Sequence, residues 1–269
     1  GLGDVDLHGA MDLRVEAQAG ALSRVDAVLH GVDLRDPARR FVFDRLAGDL
    51  RYSASMPVRS ELRWQGGQLY GLAFGEARLP MSSADGLLRF REDVRVPLMD
   101  GTMTLREVVI RPPQGTAGMD IHFGLALDDI DFGKVSQALG LPAFQGRLSG
   151  NIPQARYADE RIDFDGGLSL RLFDGRVAFS ALSLERPFGS APSRSADIAF
   201  DGLDLLRLTE VLGFGSITGR IDGRIEGLRL VDWTPVAFDA RFITDEAPGV
   251  KQRISQRAVQ NISSVGDAS

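Results

Sequence analysis

The side chains that most often carry chemistry are few and scattered in this chain. The three histidines, His8, His30 and His122, lie far apart in different alternating segments. None has a second ligand at helical or hairpin spacing, so they read as ordinary surface or half-buried residues rather than metal ligands. There are no cysteines, which removes disulfides, thiol nucleophiles and Cys-ligated zinc together. Carboxylates are plentiful, among them Asp128, Asp129, Asp131, Asp163, Asp165 and Asp174. Two carboxylates with separated pKa values could do the acid–base work of a glycosidase. Most of these flank turns or sit on the wet face of an alternating segment, and turn and solubility roles account for them. No Gly-x-Ser-x-Gly, His-Glu-x-x-His or phosphate-loop pattern occurs. Gly219-x-x-x-Gly223-x-x-x-Gly227 matches a membrane helix-pairing motif in spacing alone, because Arg220, Asp222, Arg224 and Glu226 alternate through it. The expectation is a protein that is not an enzyme and needs no metal or cofactor.

The elements that carry these residues are strands. In Met11–Ala19 every odd position is apolar and every even one polar, and Met119–Leu127 repeats the pattern. Successive strand side chains point to opposite faces, so each such segment has one apolar and one wet face. Leu168–Leu172, Val177–Phe179, Ile198–Phe200 and Val236–Phe242 read the same way. This pattern belongs to an antiparallel sheet rather than to a parallel one buried on both sides. The apolar set comprises Met119, Ile121, Phe123, Leu125, Leu127, Leu168, Leu170, Leu172, Val177, Phe179, Ile198, Phe200, Ile221, Ile225, Val236, Phe238 and Phe242. Asp-Gly recurs at 85–86, 100–101, 165–166, 174–175, 201–202 and 222–223, and each is expected at a tight hairpin. Helical signals are short: Phe132–Leu139 and Leu205–Leu212, each followed by Gly (140 and 213), and an amphipathic Val250–Ile262 with Ile254, Ala258, Val259 and Ile262 on one side.

The two short helices belong to an internal repeat. Asp131-Phe-Gly-Lys-Val-Ser-Gln-Ala-Leu-Gly140 and Gly146-Arg-Leu-Ser-Gly-Asn-Ile152 return as Asp204-Leu-Leu-Arg-Leu-Thr-Glu-Val-Leu-Gly213 and Gly219-Arg-Ile-Asp-Gly-Arg-Ile225. The offset is constant at 73 (131 to 204, 140 to 213, 146 to 219, 152 to 225). Leu98-Met-Asp-Gly101 returns as Leu172-Phe-Asp-Gly175, and Pro113 as Pro187, at 74 (100 to 174, 113 to 187). A unit this long, built of several strands and one short helix, extends a sheet module by module. The expected fold is all-β: an elongated, curled antiparallel sheet over residues 1–249, with modules at about 55–126, 127–199 and 200–249, followed by a helix and tail at 250–269. About eighteen strands spaced ~4.8 Å would extend ~85 Å.

Composition sets outer limits. The net charge of −6 offers no basic face for nucleic acid. No apolar run approaches the roughly eighteen residues of a spanning helix. Gly1 is not a natural start, so any membrane anchor is expected outside these residues. Aromatic residues are 7% of the chain against 43% hydrophobic overall, which favours aliphatic walls over a conventional sandwich core.

The Gly-Arg-(Leu/Ile)-x-Gly-x-Ile units at 146–152 and 219–225, the helices preceding them and the alternating strands resemble the AsmA-like and TamB-like superfamily of bacterial envelope proteins. Within it the chain is most similar to the YdbH family, whose segment before the C-terminal region resembles Gln252–Gly266 here. The likeness covers about half the chain, from roughly residue 127 onward. It implies a periplasmic, hydrophobic-lined open groove on a protein anchored in the inner membrane of a Gram-negative bacterium. It also implies transport of phospholipid between the membranes and a small outer-membrane lipoprotein partner that adds strands at the C-terminal end. The apolar set above would then be the lipid-binding groove. The competing reading from the residues alone is a structural or adhesive β-solenoid whose apolar faces close on one another.

Overall fold

The structure is a computed structural model that describes residues 5–18, 21–114, 116–142, 144–187, 189, 191–213, 215–231, 234–245, 253–256 and 259. The alternating segments form strands β1 (Asp6–Gln18), β2 (Ala21–Arg35), β3 (Phe41–Ser53), β4 (Val58–Leu69), β5 (Leu72–Ala84), β6 (Leu87–Phe90), β7 (Val94–Leu98), β8 (Gly101–Arg111) and β9 (Asp120–Asp131). Helix α1 (Phe132–Ala138) separates these from β10 (Gly146–Ala158), β11 (Arg161–Leu172), β12 (Gly175–Glu185) and β13 (Ser193–Asp204). After α2 (Leu205–Val211) come the short β14 (Ile217–Thr218), then β15 (Arg220–Val231), β16 (Thr234–Asp245) and the short β17 (Arg253–Ile254).

All but β14 and β17 join one antiparallel sheet of fifteen strands, in chain order from β1 to β16. Strands β6 and β7 both lie between β5 and β8, so they are two halves of one interrupted strand. The sheet therefore has fourteen positions, fewer than the eighteen strands expected, and an unrolled path of about 62 Å. It is curled but does not close: β1 pairs only with β2 and β16 only with β15 among the described residues. The chain exposes 16000 Å², against about 11,500 Å² for a compact protein of its mass. A single curled layer, with both faces open, contributes to that excess.

The 73-residue echo is structural as well as sequential. Strands β5 to β9 with α1 are followed by β10 to β13 with α2, and β15 and β16 start the unit again. Asp131 and Asp204 cap the two helices, each carboxylate accepting from the backbone N–H three residues on, at 3.1 and 3.0 Å. The same aspartates donate their own N–H to the Met99 and Phe173 carbonyls, at 2.8 and 2.9 Å. Arg147 and Arg220 each reach a bulge carbonyl, Asp129 O and Gly202 O, at 3.2 Å. Each helix is one residue shorter than its sequence implied.

Three expectations change. Of the Asp-Gly pairs, 165–166, 201–202 and 222–223 lie inside β11, β13 and β15. At 100–101 and 174–175 the turn is centred one residue earlier, on Met99-Asp100 and Phe173-Asp174, where φ is positive at both residues. The glycine that follows answers a close approach: a Cβ on Gly101 would stand 2.5 Å from the Asp128 and Asp129 carbonyls, and one on Gly175 2.5 Å from the Asp201 carbonyl. Finally, Arg253 and Ile254, expected within a helix, instead form β17 and pair with Thr218 and Ile217. The helix-type bond from Val259 N–H to Ser255 O follows them; residues 250–252, 257–258 and 260–262, Ala258 and Ile262 included, lie outside the described residues.

Candidate functional site

Residues directly opposite one another on paired antiparallel strands share a face, so the register shows what each face carries. One row runs Val96–Met103–Leu127–Gly150–Leu168–Phe179–Ile198–Ile225–Ala240 across eight successive pairings from β7 to β16. Beside it runs Ile130–Leu148–Leu170–Val177–Phe200–Gly223–Phe242. Neither row contains a polar side chain. Where glycine interrupts them, the neighbour lies over the gap: a Cβ on Gly150 would meet Leu168, and one on Gly223 would meet Phe242, both at 2.7 Å. Phe242 thereby reaches Phe200, ring centres 5.8 Å apart.

Further rows flank these. Leu105–Leu125–Ile152 and Phe123–Ala155–Phe164 lie on one side. Ile110–Ile121–Tyr157–Ile162–Leu184–Arg194–Leu230 forms the outermost row and brings in a cation, Arg194. The face continues into the N-terminal strands through Leu34–Phe43–Gly67–Phe74–Leu98. There Phe43, Trp64 and Phe74 form an aromatic cluster with centres 5.3 to 5.9 Å apart, and Trp64 Nε1 donates to Gly75 O at 2.9 Å.

The seventeen apolar positions picked from sequence divide by depth. Leu170, Leu172 and Val177 are enclosed and belong to a core with Ile130, Leu148 and Leu203, into which α1 sends Val135 and Phe132 and α2 sends Leu208. Leu170 is only 1% exposed. Ile121, Phe123, Leu125, Leu127, Leu168, Phe179, Ile198, Phe200, Ile221 and Ile225 are half-buried. Val236, Phe238 and Phe242 on the edge strand β16 are exposed, as is Met119, which precedes β9 and pairs with no strand. Reading the sequence missed the enclosed Ile130, Leu148, Ile152 and Leu203 and the aromatic cluster; the alternation in Gly146–Ile152 was the available signal for two of them.

The opposite face is charged. Arg156 grips Asp120 with two bonds of 3.1 and 3.0 Å, and His122 lies 3.2 Å from the same carboxylate. These bonds, above all from Arg156, hold the Asp120 carboxyl below its ordinary pKa. At the β2–β3 turn Asp36 is enclosed and takes three bonds from Arg40, through its backbone N–H, Nε and Nη2, at 2.9, 2.8 and 2.6 Å. The Arg40 side-chain bonds hold its pKa down at about 2. Among the described residues no group of three or more His, Asp or Glu side chains converges to hold a metal, and no helix is long and apolar enough to cross a membrane. In comparisons with known proteins, the chain matches no family model, no curated protein and no solved structure.

Proposed function

We propose that this chain conducts phospholipid across the periplasm of a Gram-negative bacterium, with acyl chains lying along its apolar face, and so contributes to outer-membrane lipid homeostasis. The observation that carries this reading is the unbroken row from Val96 to Ala240, about 38 Å at the spacing of neighbouring strands. Burying a CH₂ group is worth about 0.8 kcal/mol, so two acyl chains of some thirty such groups cost on the order of 20 kcal/mol to expose. A track with no charge along its length removes that cost at every point, while the open side of the curl leaves headgroups in water. No polar pocket is needed, which agrees with the absence of a recognisable motif. An inner-membrane anchor outside this chain and a strand-adding outer-membrane lipoprotein are the partners that the family resemblance implies, and the outer edge of β16, which pairs with no strand among the described residues, suits the second.

A structural solenoid is the second reading, favoured by the closure of Leu170, Leu172 and Val177 beneath the helices. Native mass spectrometry of the purified chain, before and after incubation with phosphatidylethanolamine–phosphatidylglycerol vesicles, separates the two. Bound phospholipid is expected on the wild type and not on Ile198→Asp, with both giving the same β-sheet circular dichroism. A folded wild type that takes up no phospholipid would leave the solenoid reading standing.

A further inference from the structure

The two ends of the sheet are complementary. Both edge strands are long, β1 with thirteen residues and β16 with twelve, and nearly every described side chain on them is exposed. Their apolar sides stand in water: Leu7, Met11, Leu13 and Val15 at one end, Val236, Phe238 and Phe242 at the other, each 43 to 60% exposed. A long edge with unpaired N–H and C=O groups and an apolar side is a template for another strand. With fourteen strand positions, an even number, β1 and β16 run in opposite directions. The β1 of a second copy therefore meets β16 antiparallel, with its apolar face on the same side.

The charges select one register. We propose that copies of this chain associate end to end, β1 of one adding to β16 of the next, with Asp12 opposite Arg241 and Arg14 opposite Asp239. The same register sets Met11 against Phe242, Leu13 against Ala240 and Val15 against Phe238. Only shifts by an even number of residues keep apolar side chains on the apolar face. A shift of two in one direction sets Asp12 against Asp239. A shift of two in the other sets Arg14 against Arg241 and Glu16 against Asp239. Like charges directly opposite one another destabilise a strand pair, so both neighbouring registers are disfavoured. Arg14 already lies 2.8 Å from Glu16 on its own strand, and it is exposed enough to exchange that partner for Asp239. The contact is head-to-tail and leaves one β1 and one β16 free at the ends of each assembly, so a strand-adding partner could still occupy the last edge. The inference stands independently of the lipid reading.

Sedimentation equilibrium of the purified chain over a concentration series tests it. Self-association is expected in the wild type, weakened about tenfold or more in Arg14→Asp, where one attraction becomes a repulsion, and restored in Arg14→Asp combined with Asp239→Arg. Because the chain has no cysteine, the double variant Leu13→Cys/Ala240→Cys reports the register directly. Oxidation should give a ladder of disulfide-linked copies, and Leu13→Cys/Phe238→Cys should give far less. A chain that stays monomeric at every concentration, association indifferent to the Arg14 and Asp239 reversals, or cross-linking equal in both cysteine pairs would overturn the proposal.

Discussion

Lys134 Nζ on α1 lies 2.6 Å from the Asp100 carboxylate in the β7–β8 turn, and one repeat later Arg207 Nη1 on α2 lies 3.1 Å from Asp174 in the β11–β12 turn. The same contact thus ties each helix to the hairpin that precedes it in the repeat. All four side chains are about half exposed, so each pair contributes less than about 1 kcal/mol. Lys134→Ala should move the urea midpoint little. Gly101→Ala, which drives a methyl into the Asp128 and Asp129 carbonyls, should cost about 3 kcal/mol. Equal losses in the two variants would show that the ion pair, not the close backbone approach, holds the turn.

Depth along the apolar face predicts a graded response. Leu170 is 1% exposed under the helices, whereas Phe238 on β16 is 60% exposed. Leu170→Ala should lower unfolding free energy by about 3 kcal/mol, and Phe238→Ala by less than about 1 kcal/mol. Chemical denaturation followed by the β-sheet circular dichroism signal reads both.

Asp36 gives a pH dependence of known sign. Its carboxyl is held at about 2 in the folded chain, against an ordinary 3.8, so its bonds to Arg40 stabilise the fold fully above about pH 4. That contribution is lost as pH falls from about 4 through about 2, where the folded carboxylate takes up its proton. Asp36→Asn should lower stability at pH 7 by about 2 kcal/mol, and the gap between variant and wild type should narrow as pH falls from 4 towards 2. A constant gap from pH 7 to pH 2 would show that packing, not the charge, accounts for the loss.

Small-angle scattering tests the open curl. A compact domain of 269 residues has a radius of gyration of about 18 Å. A flat layer some 62 Å by 40 Å would give about 22 Å at ordinary strand spacing and rise, and the open curl should fall between the two figures. A value at the lower figure would mean that the sheet rolls shut in solution.

The repeat of polar and apolar residues in Met119–Leu127 or Val177–Phe179 was enough to read strands and their apolar sides. Side-chain direction alternates by covalent geometry, and no distant contact is needed to set it. The two short helices were legible to within a residue, because their boundaries depend on local backbone and capping groups, as Asp131 and Asp204 show. The offset of 73 was visible for the same reason. Depth was not legible. Leu168 and Leu170 occupy equivalent alternating positions in β11, yet the first is half-buried and the second enclosed, because helices from other segments cover one row and not its neighbour. Nor could Asp165-Gly166, Asp201-Gly202 and Asp222-Gly223 be told from true turns, since a glycine needed for a bulge or for a neighbouring carbonyl looks the same in sequence as one needed for a hairpin. Sequence determined which way side chains face within each unbroken alternation, but not the bulges that reverse it, as between Leu127 and Ile130. Only the tertiary structure decided what lies over them, because cover comes from residues far along the chain brought near by the curl of the sheet.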